Sequence, residues 1–285
     1  MDHKLDAIGI GARRCASSYI HRFLNNHPDI LKPSKGLHYF SEHYSLGSKW
    51  YLSQIPENAT AKLVIESSVS YSYPEYSEYC AKRIFNSFPD AKIFVSLRNP
   101  IDRAFSDYLR SIRNLEIDSN LSFEQAIKDF PIFLERGKYK KILSPYFDYF
   151  PSENIKILLF DDLSEDSNKF QKSLCNFLNI REDINYIETD QKENQGSLRI
   201  PFLQITLIKF KIFFDKLAKL IFLEKIWHLT KKRFSNSYHK IRNLNIKKVD
   251  LSKKIRFELA NFYQEDIDWL SKKINRDLSF WKDER

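Results

Sequence analysis

Ala7-Ile8-Gly9-Ile10-Gly11-Ala12-Arg13-Arg14-Cys15-Ala16-Ser17-Ser18 decides the fold. It opens on five apolar or small residues, which read as a buried strand. A small-residue loop with two arginines follows, and then a helical pattern from Tyr19 to about Asn26. The same alternation recurs along the chain. Lys62-Leu63-Val64-Ile65-Glu66, Lys92-Ile93-Phe94-Val95-Ser96-Leu97 and Asn154-Ile155-Lys156-Ile157-Leu158-Leu159-Phe160 read as further strands. Helical patterns fall at about Glu75 to Phe88, from Pro100 onward, Leu121 to Phe130, Tyr139 to Phe150, and from the fourth strand to Leu178. Asn99-Pro100 supplies a helix N-cap with proline at the first helical position. Strands alternating with helices predict a parallel α/β sheet, and no internal repeat interrupts the pattern.

At 285 residues, 42% hydrophobic and 29% charged, the chain can bury a full core, which excludes whole-chain disorder. Six glycines and ten prolines are too few for a fibrous or low-complexity protein. Neither a membrane span nor a secretory leader is evident, so a cytosolic location is expected. Cys15, Cys80 and Cys175 are odd in number and widely spaced, which points to neither a disulfide framework nor a zinc site. The net charge of +9 is local: Lys209 to Lys248 holds twelve Lys and Arg, opposed only by Asp215 and Glu224. One domain, 1–285, is expected, with an α/β core over 1–200 and a basic helical part over 201–285.

Parallel α/β folds bind ligands at the carboxyl ends of their strands. Two features sit there. In the loop 11–18, small residues let backbone N–H groups approach an anion, the helix N-terminus favours it, and Arg13 and Arg14 add charge. In Arg98-Asn99-Pro100-Ile101-Asp102-Arg103-Ala104-Phe105-Ser106, Arg98 leaves the third strand, and Ser106 lies about two turns into the helix on the same side. A guanidinium with a hydroxyl is a phosphate grip. Two such sites imply a ligand with two separated phosphate-like groups. The loop lacks the Gly-Lys-Ser/Thr of a Walker A motif, which disfavours an ordinary P-loop kinase or GTPase.

These residues resemble the sulfotransferases, in particular the carbohydrate (heparan-type) branch and its bacterial relatives. Gly11 to Ser18 is similar to the family loop Gly-x-x-Lys-x-Gly-Thr-Thr, and Leu97 to Ser106 matches the 3′-phosphate motif almost throughout. Lys35-Gly36-Leu37-His38-Tyr39-Phe40, Gly47-Ser48-Lys49-Trp50-Tyr51, Glu66-Ser67-Ser68 with Tyr71, and Asp277-Leu278 with Trp281 resemble further family patterns. The resemblance implies a P-loop-like parallel β-sheet flanked by helices, with additional C-terminal helices. It implies 3′-phosphoadenosine 5′-phosphosulfate (PAPS) as co-substrate, no metal, and transfer of a sulfuryl group to a hydroxyl, or an amine, of a carbohydrate or glycolipid. Arg13, Arg14 and the segment Cys15, Ala16, Ser17 and Ser18 would then hold the phosphosulfate. Arg98 and Ser106 would hold the 3′-phosphate, with Arg199 as a third ligand.

Three positions depart from the family pattern. Arg14 replaces the loop lysine, Gly36 stands where the family has its catalytic glutamate, and Ser67 replaces a further lysine. Arginine can stabilise charge on the leaving phosphate but is not a general acid. A base must still take the acceptor proton. His38 is the first candidate, since histidine suits neutral pH, and Glu42, His43 and Glu66 follow. Were this segment a strand, His38 would face the way residue 36 faces. Cys15 is expected to be an inert loop filler.

Two other functions remain open: a nucleotide-binding pseudoenzyme of the same fold, which Gly36 favours, and a phosphotransferase of P-loop ancestry. The segment 209–248 reads first as an amphipathic helix covering the core. It also suits an in-plane helix on anionic lipid, or a rim for an acidic sugar chain. Nucleic acid is not expected, because no recognised binding motif is present.

Overall fold

The computed structural model describes residues 5–55, 63–182 and 250–282, with the backbone of 197–198 and 247–248. Arg199 and nearly all of the basic segment 209–248 lie outside the described residues.

The chain begins with β1 (Ala7–Gly11), α1 (Ser17–Asn25), β2 (Ile30–Lys35) and α2 (Gly47–Ser53). Next come β3 (Leu63–Ser67), α3 (Ser77–Ser87), β4 (Lys92–Leu97) and α4 (Pro100–Arg113). Then follow α5 (Phe123–Asp129), α6 (Ile132–Glu135), α7 (Tyr139–Tyr149), β5 (Ile155–Leu159), α8 (Phe160–Glu165) and α9 (Ser167–Leu178). Short strands β6 (Ser197–Leu198) and β7 (Lys247–Lys248) pair antiparallel, and α10 (Lys253–Phe262) and α11 (Gln264–Ile274) close the chain. The main sheet has five strands in the order β2-β3-β1-β4-β5, and every pairing in it is parallel.

Side-chain alternation divides the core. Ile8 and Ile10 of β1 and Ile93, Val95 and Leu97 of β4 pack with the helices of one face, while Ala7 and Phe94 face α1 and α9 on the other. Both faces are covered, as a parallel sheet requires. Asn99 caps α4 by accepting from the Ile101 N–H at 3.0 Å, with Pro100 in the first turn. Its amide also donates to the Trp281 carbonyl at 2.8 Å. Trp281 is fully buried, and its indole N–H donates to Asp161 at 3.0 Å. The closing Leu278–Trp281 segment thus locks onto the β4–α4 junction that carries Arg98.

Three details differ from the sequence reading. Ile30–Lys35 is a strand, masked in the sequence by Pro33. Proline is tolerated there because β2 is an edge strand, and its register with β3 shifts between Leu31 and Ser34. The strand does not extend to His38: it stops at Lys35, with Gly36 and His38 in left-handed backbone at φ 75° and 51°. The helical pattern after β5 divides at Asp166, whose carboxylate caps α9 through the N–H groups of Asn168 and Lys169.

Candidate functional site

The loop after β1 is shaped by its small residues. Gly11 has φ 132°, and a Cβ there would lie 2.5 Å from Ser72 Oγ, so a side chain fits neither the backbone nor the space. The pairing of β1 with β4 slips between Gly9 and Gly11, which turns the chain out of the sheet. Arg14 and Ala16 both take positive φ, and α1 begins at Ser17.

The two arginines of the loop diverge. Arg13 donates to the Asp107 carboxylate at 2.7 Å, and the same buried carboxylate lies 3.4 Å from Arg103 and 3.6 Å from Arg136. Burial alone would raise the Asp107 carboxyl, but Arg103 and Arg13 outweigh it and hold it below the ordinary carboxylate value. Arg136 also stacks on Tyr73 at 4.0 Å. This knot pins the loop to α4 and to the α6–α7 junction. Replacing Asp107 by Asn leaves three arginines around a neutral amide. It should cost about 1.5–3 kcal/mol, the range for a hydrogen bond to a charged partner, read from the urea midpoint at pH 7. Arg14 turns the other way. Its Nε and Nη2 donate to Ser106 Oγ at 3.1 and 3.0 Å, joining the loop directly to α4.

Arg98 stands at the end of β4 with its guanidinium 4.6 Å from the Phe160 ring, and its carbonyl accepts from Tyr139 at 2.6 Å. No carboxylate pairs with it among the described residues. Cys15 is fully buried, and burial pushes its thiol up to about 11, so it is protonated and no nucleophile at neutral pH. Ser17 lines a crevice at the carboxyl ends of β1 and β3, together with Gly11, Gly36, His38, Ser67 and Ser68. Ser18 is exposed at the start of α1. The structure therefore gathers the loop, Ser106 and His38 around one end of the sheet. Ser67, at the family's lysine position, stands opposite Lys35 in register.

His38 reaches the neighbourhood of residue 36 without a strand. A Cβ built on Gly36 would lie 3.4 Å from His38 Nε2, so the imidazole takes up the space beside a side chain at 36. Its hydrogen bonds assign the tautomer. Ser41 Oγ donates to the His38 carbonyl at 3.1 Å. Ser70 Oγ, 2.6 Å from Ser41 Oγ, then donates to it, which leaves Ser70 to accept from His38 Nδ1 at 2.6 Å. The proton sits on Nδ1 and the lone pair on Nε2. Partial burial pulls the imidazole below its ordinary pKa, with Glu42 at 3.9 Å drawing it back up and His43 lowering it. The His38 N–H donates to Ser68 Oγ at 2.9 Å, and Ser68 donates to the buried Glu66 carboxyl at 2.6 Å. Glu66 is thus a brace behind the loop, away from the crevice lining. Sequence reasoning missed Asp107, Ser41 and Ser70. Only a contact across 94 residues for Arg13–Asp107, or about 30 for the serines, reveals them.

The sulfotransferase domain profile matches residues 5–195, more than half of the chain. Heparan sulfate glucosamine 3-O-sulfotransferase 5 of Mus musculus is 26% identical over 222 residues, covering 74% of this chain and 61% of its own length. The bifunctional heparan sulfate N-deacetylase/N-sulfotransferase 2 of Homo sapiens is 28% identical over 201 residues, 63% of this chain and 22% of that one. The chain therefore spans about three-fifths of the first relative and about one-fifth of the second. A crystal structure of a sulfotransferase from Alicyclobacillus acidocaldarius has the same fold, with a TM-score of 0.70 at 22% identity, covering 99% of this chain and 100% of that one. The matched span contains the whole five-stranded sheet, the loop after β1, His38 and the Arg98–Ser106 segment, and on that span the chain belongs to the sulfotransferase family.

Proposed function

We propose that the chain transfers a sulfuryl group from PAPS to a hydroxyl, with an amine as the second choice, of a carbohydrate or glycolipid. The observation that carries this reading is that His38, with its lone pair on Nε2, lines the same crevice as Gly11 and Ser17 of the loop after β1. In the transfer, the acceptor oxygen bonds to sulfur while the bond from sulfur to the bridging phosphate oxygen breaks. The electron pair leaves on the phosphate, and the acceptor proton passes to His38 Nε2. Arg14 and the Cys15–Ser18 backbone stabilise the negative charge that grows toward the phosphate. Arg98 and Ser106 hold the 3′-phosphate, with Arg199 as a third ligand. The heparan sulfate relatives support a sugar acceptor.

The test is a calorimetric titration with adenosine 3′,5′-bisphosphate, 5′-AMP and magnesium-ATP, followed by incubation with labelled PAPS and a panel of glycans and glycolipids. The bisphosphate should bind about 10- to 100-fold more tightly than 5′-AMP, the scale of a charged hydrogen-bond pair. Arg98→Ala should remove most of that preference. Unchanged affinity in Arg98→Ala would show the 3′-phosphate assignment to be wrong. Tight binding without transfer to any acceptor would favour the pseudoenzyme reading, which the bare Gly36 supports. Preference for magnesium-ATP would point to a phosphotransferase.

A further inference from the structure

The crevice beside His38 has a wall that proton transfer does not use. Every residue lining it is a glycine, a serine, His38 or one of three apolar side chains, Ile20, Val69 and Phe94. A Cβ on Gly9 would lie 2.6 Å from the Phe94 ring and 2.8 Å from Ser67 Cβ, so only glycine leaves room for that ring beside β1. At Gly36 the crevice is open: beyond its chain neighbours, a Cβ there would have only the His38 ring within 4 Å. Of the lining hydroxyls, Ser68 is already engaged. It donates to Glu66 at 2.6 Å and accepts from the His38 N–H at 2.9 Å. The resemblance places a glutamate at residue 36 and a lysine at residue 67, a pair of opposite charges bordering this space. Here the two are glycine and serine. A charged group entering the crevice would exchange water for a lining of hydrocarbon and hydroxyls, at a cost in free energy. An uncharged apolar group gains by the same exchange.

We infer that this crevice seats an uncharged apolar substituent of the acceptor, of acyl or methyl type, carried on the carbon next to the reacting hydroxyl. With that hydroxyl at His38 Nε2, the neighbouring substituent enters the space beside Gly36 and Ser67 and meets the wall of Ile20, Val69 and Phe94. Ser67 and Val69 are then specificity-determining positions: their size sets the room for the substituent, and the chemistry of residue 67 sets its charge. The inference rests on the transfer reading proposed above and names the acceptor class of that same site.

The experiment measures kcat/KM with labelled PAPS for the p-nitrophenyl β-glycosides of N-acetylglucosamine, glucose and N-sulfoglucosamine, which differ at one ring position. The wild type should favour N-acetylglucosamine over glucose by about tenfold or more, the scale of a well-seated methyl group, and should use N-sulfoglucosamine least. Ser67→Leu and Val69→Phe each fill the crevice and should bring the ratio of N-acetylglucosamine to glucose toward one. Ser67→Lys should reverse the order of N-acetylglucosamine and N-sulfoglucosamine, because a lysine in the wall pairs with the sulfamate. Equal use of the three glycosides by the wild type would overturn the inference, and so would a preference for N-sulfoglucosamine. An N-acetyl preference that survives both filling variants would overturn it as well, as would transfer found only on glycans or glycolipids whose reacting hydroxyl lacks an acyl or methyl neighbour. In each of those cases the transfer reading stands. Bisphosphate binding without transfer to any acceptor would overturn the transfer reading itself, and this inference with it. Thermal melts check each variant's fold, and Val69→Phe carries the filling test if Ser67→Leu is unstable.

Discussion

His38→Asn is expected to lower kcat by about 10²- to 10⁴-fold, the range for removal of a general base, while bisphosphate affinity stays within about twofold. Asparagine is chosen on geometric grounds. Its amide can keep the donor that His38 Nδ1 gives to Ser70, and it tolerates the left-handed backbone at φ 51°. What it lacks is the ring nitrogen that stands next to Gly36. The substitution therefore removes Nε2 and little else. The pH profile gives an independent reading. The imidazole must be neutral to accept a proton, and partial burial lowers its pKa despite the pull of Glu42. The acid limb of the wild-type kcat/KM should therefore lie below the ordinary histidine value. Ser70→Ala should reduce the rate by a smaller factor, since it frees the tautomer without removing the base. An unchanged rate in His38→Asn would transfer the role to another group, and a profile flat through pH 5 would do the same.

The sheet was legible because buried parallel strands are short apolar runs between helices, and β1, β3, β4 and β5 have that form. The α4 start was legible in Asn99-Pro100, since capping is local chemistry. The edge strand β2 was not, because proline argues against a strand unless one knows that its edge is free. The site divides in the same way. The loop and Arg98 follow from residue type at a strand end. The orientation of the side chains does not: Arg13 and Arg14 are neighbours of identical chemistry, yet one is bound by Asp107 and the other by Ser106. His38 follows from its chemistry and its nearness to Gly36, and the strand geometry that would have turned it the same way is replaced in the structure by a turn. It still lies beside residue 36, because the positive φ at both positions folds the ring back.

The second large effect concerns Glu66, whose burial pushes its carboxyl up to about 8, against smaller lowering contributions from Ser68 and Tyr71. One carboxyl oxygen accepts from Ser68 at 2.6 Å, and the other has no hydrogen-bond partner among the described residues. An ionised carboxylate there would be buried with no cation against it among the described residues, so the folded chain keeps the proton. Below pH ~4.5 the group is neutral in both folded and unfolded chains, and its full stabilising share is present. As the pH rises, the unfolded chain ionises first while the folded chain holds its proton until about 8. Over that interval the folded state binds more protons, so stability falls by up to about 1.4 kcal/mol per pH unit. The accumulated loss approaches about 5 kcal/mol at the upper limit, and above the folded pKa it is complete. Glu66→Gln is neutral at every pH and can still accept from Ser68. The difference between the two urea-unfolding free energies, followed from pH 5 to pH 8.5, cancels all other titrating groups. The wild type should lose ground steadily against the variant across that range, and parallel curves would mean that Glu66 is ionised in the folded protein. Function is coupled to the same proton. Ser68 links Glu66 to the His38 N–H, so ionisation at 66 loads the peptide that carries the proposed base. The alkaline limb of kcat should accordingly move upward or disappear in Glu66→Gln, while the acid limb set by His38 stays in place.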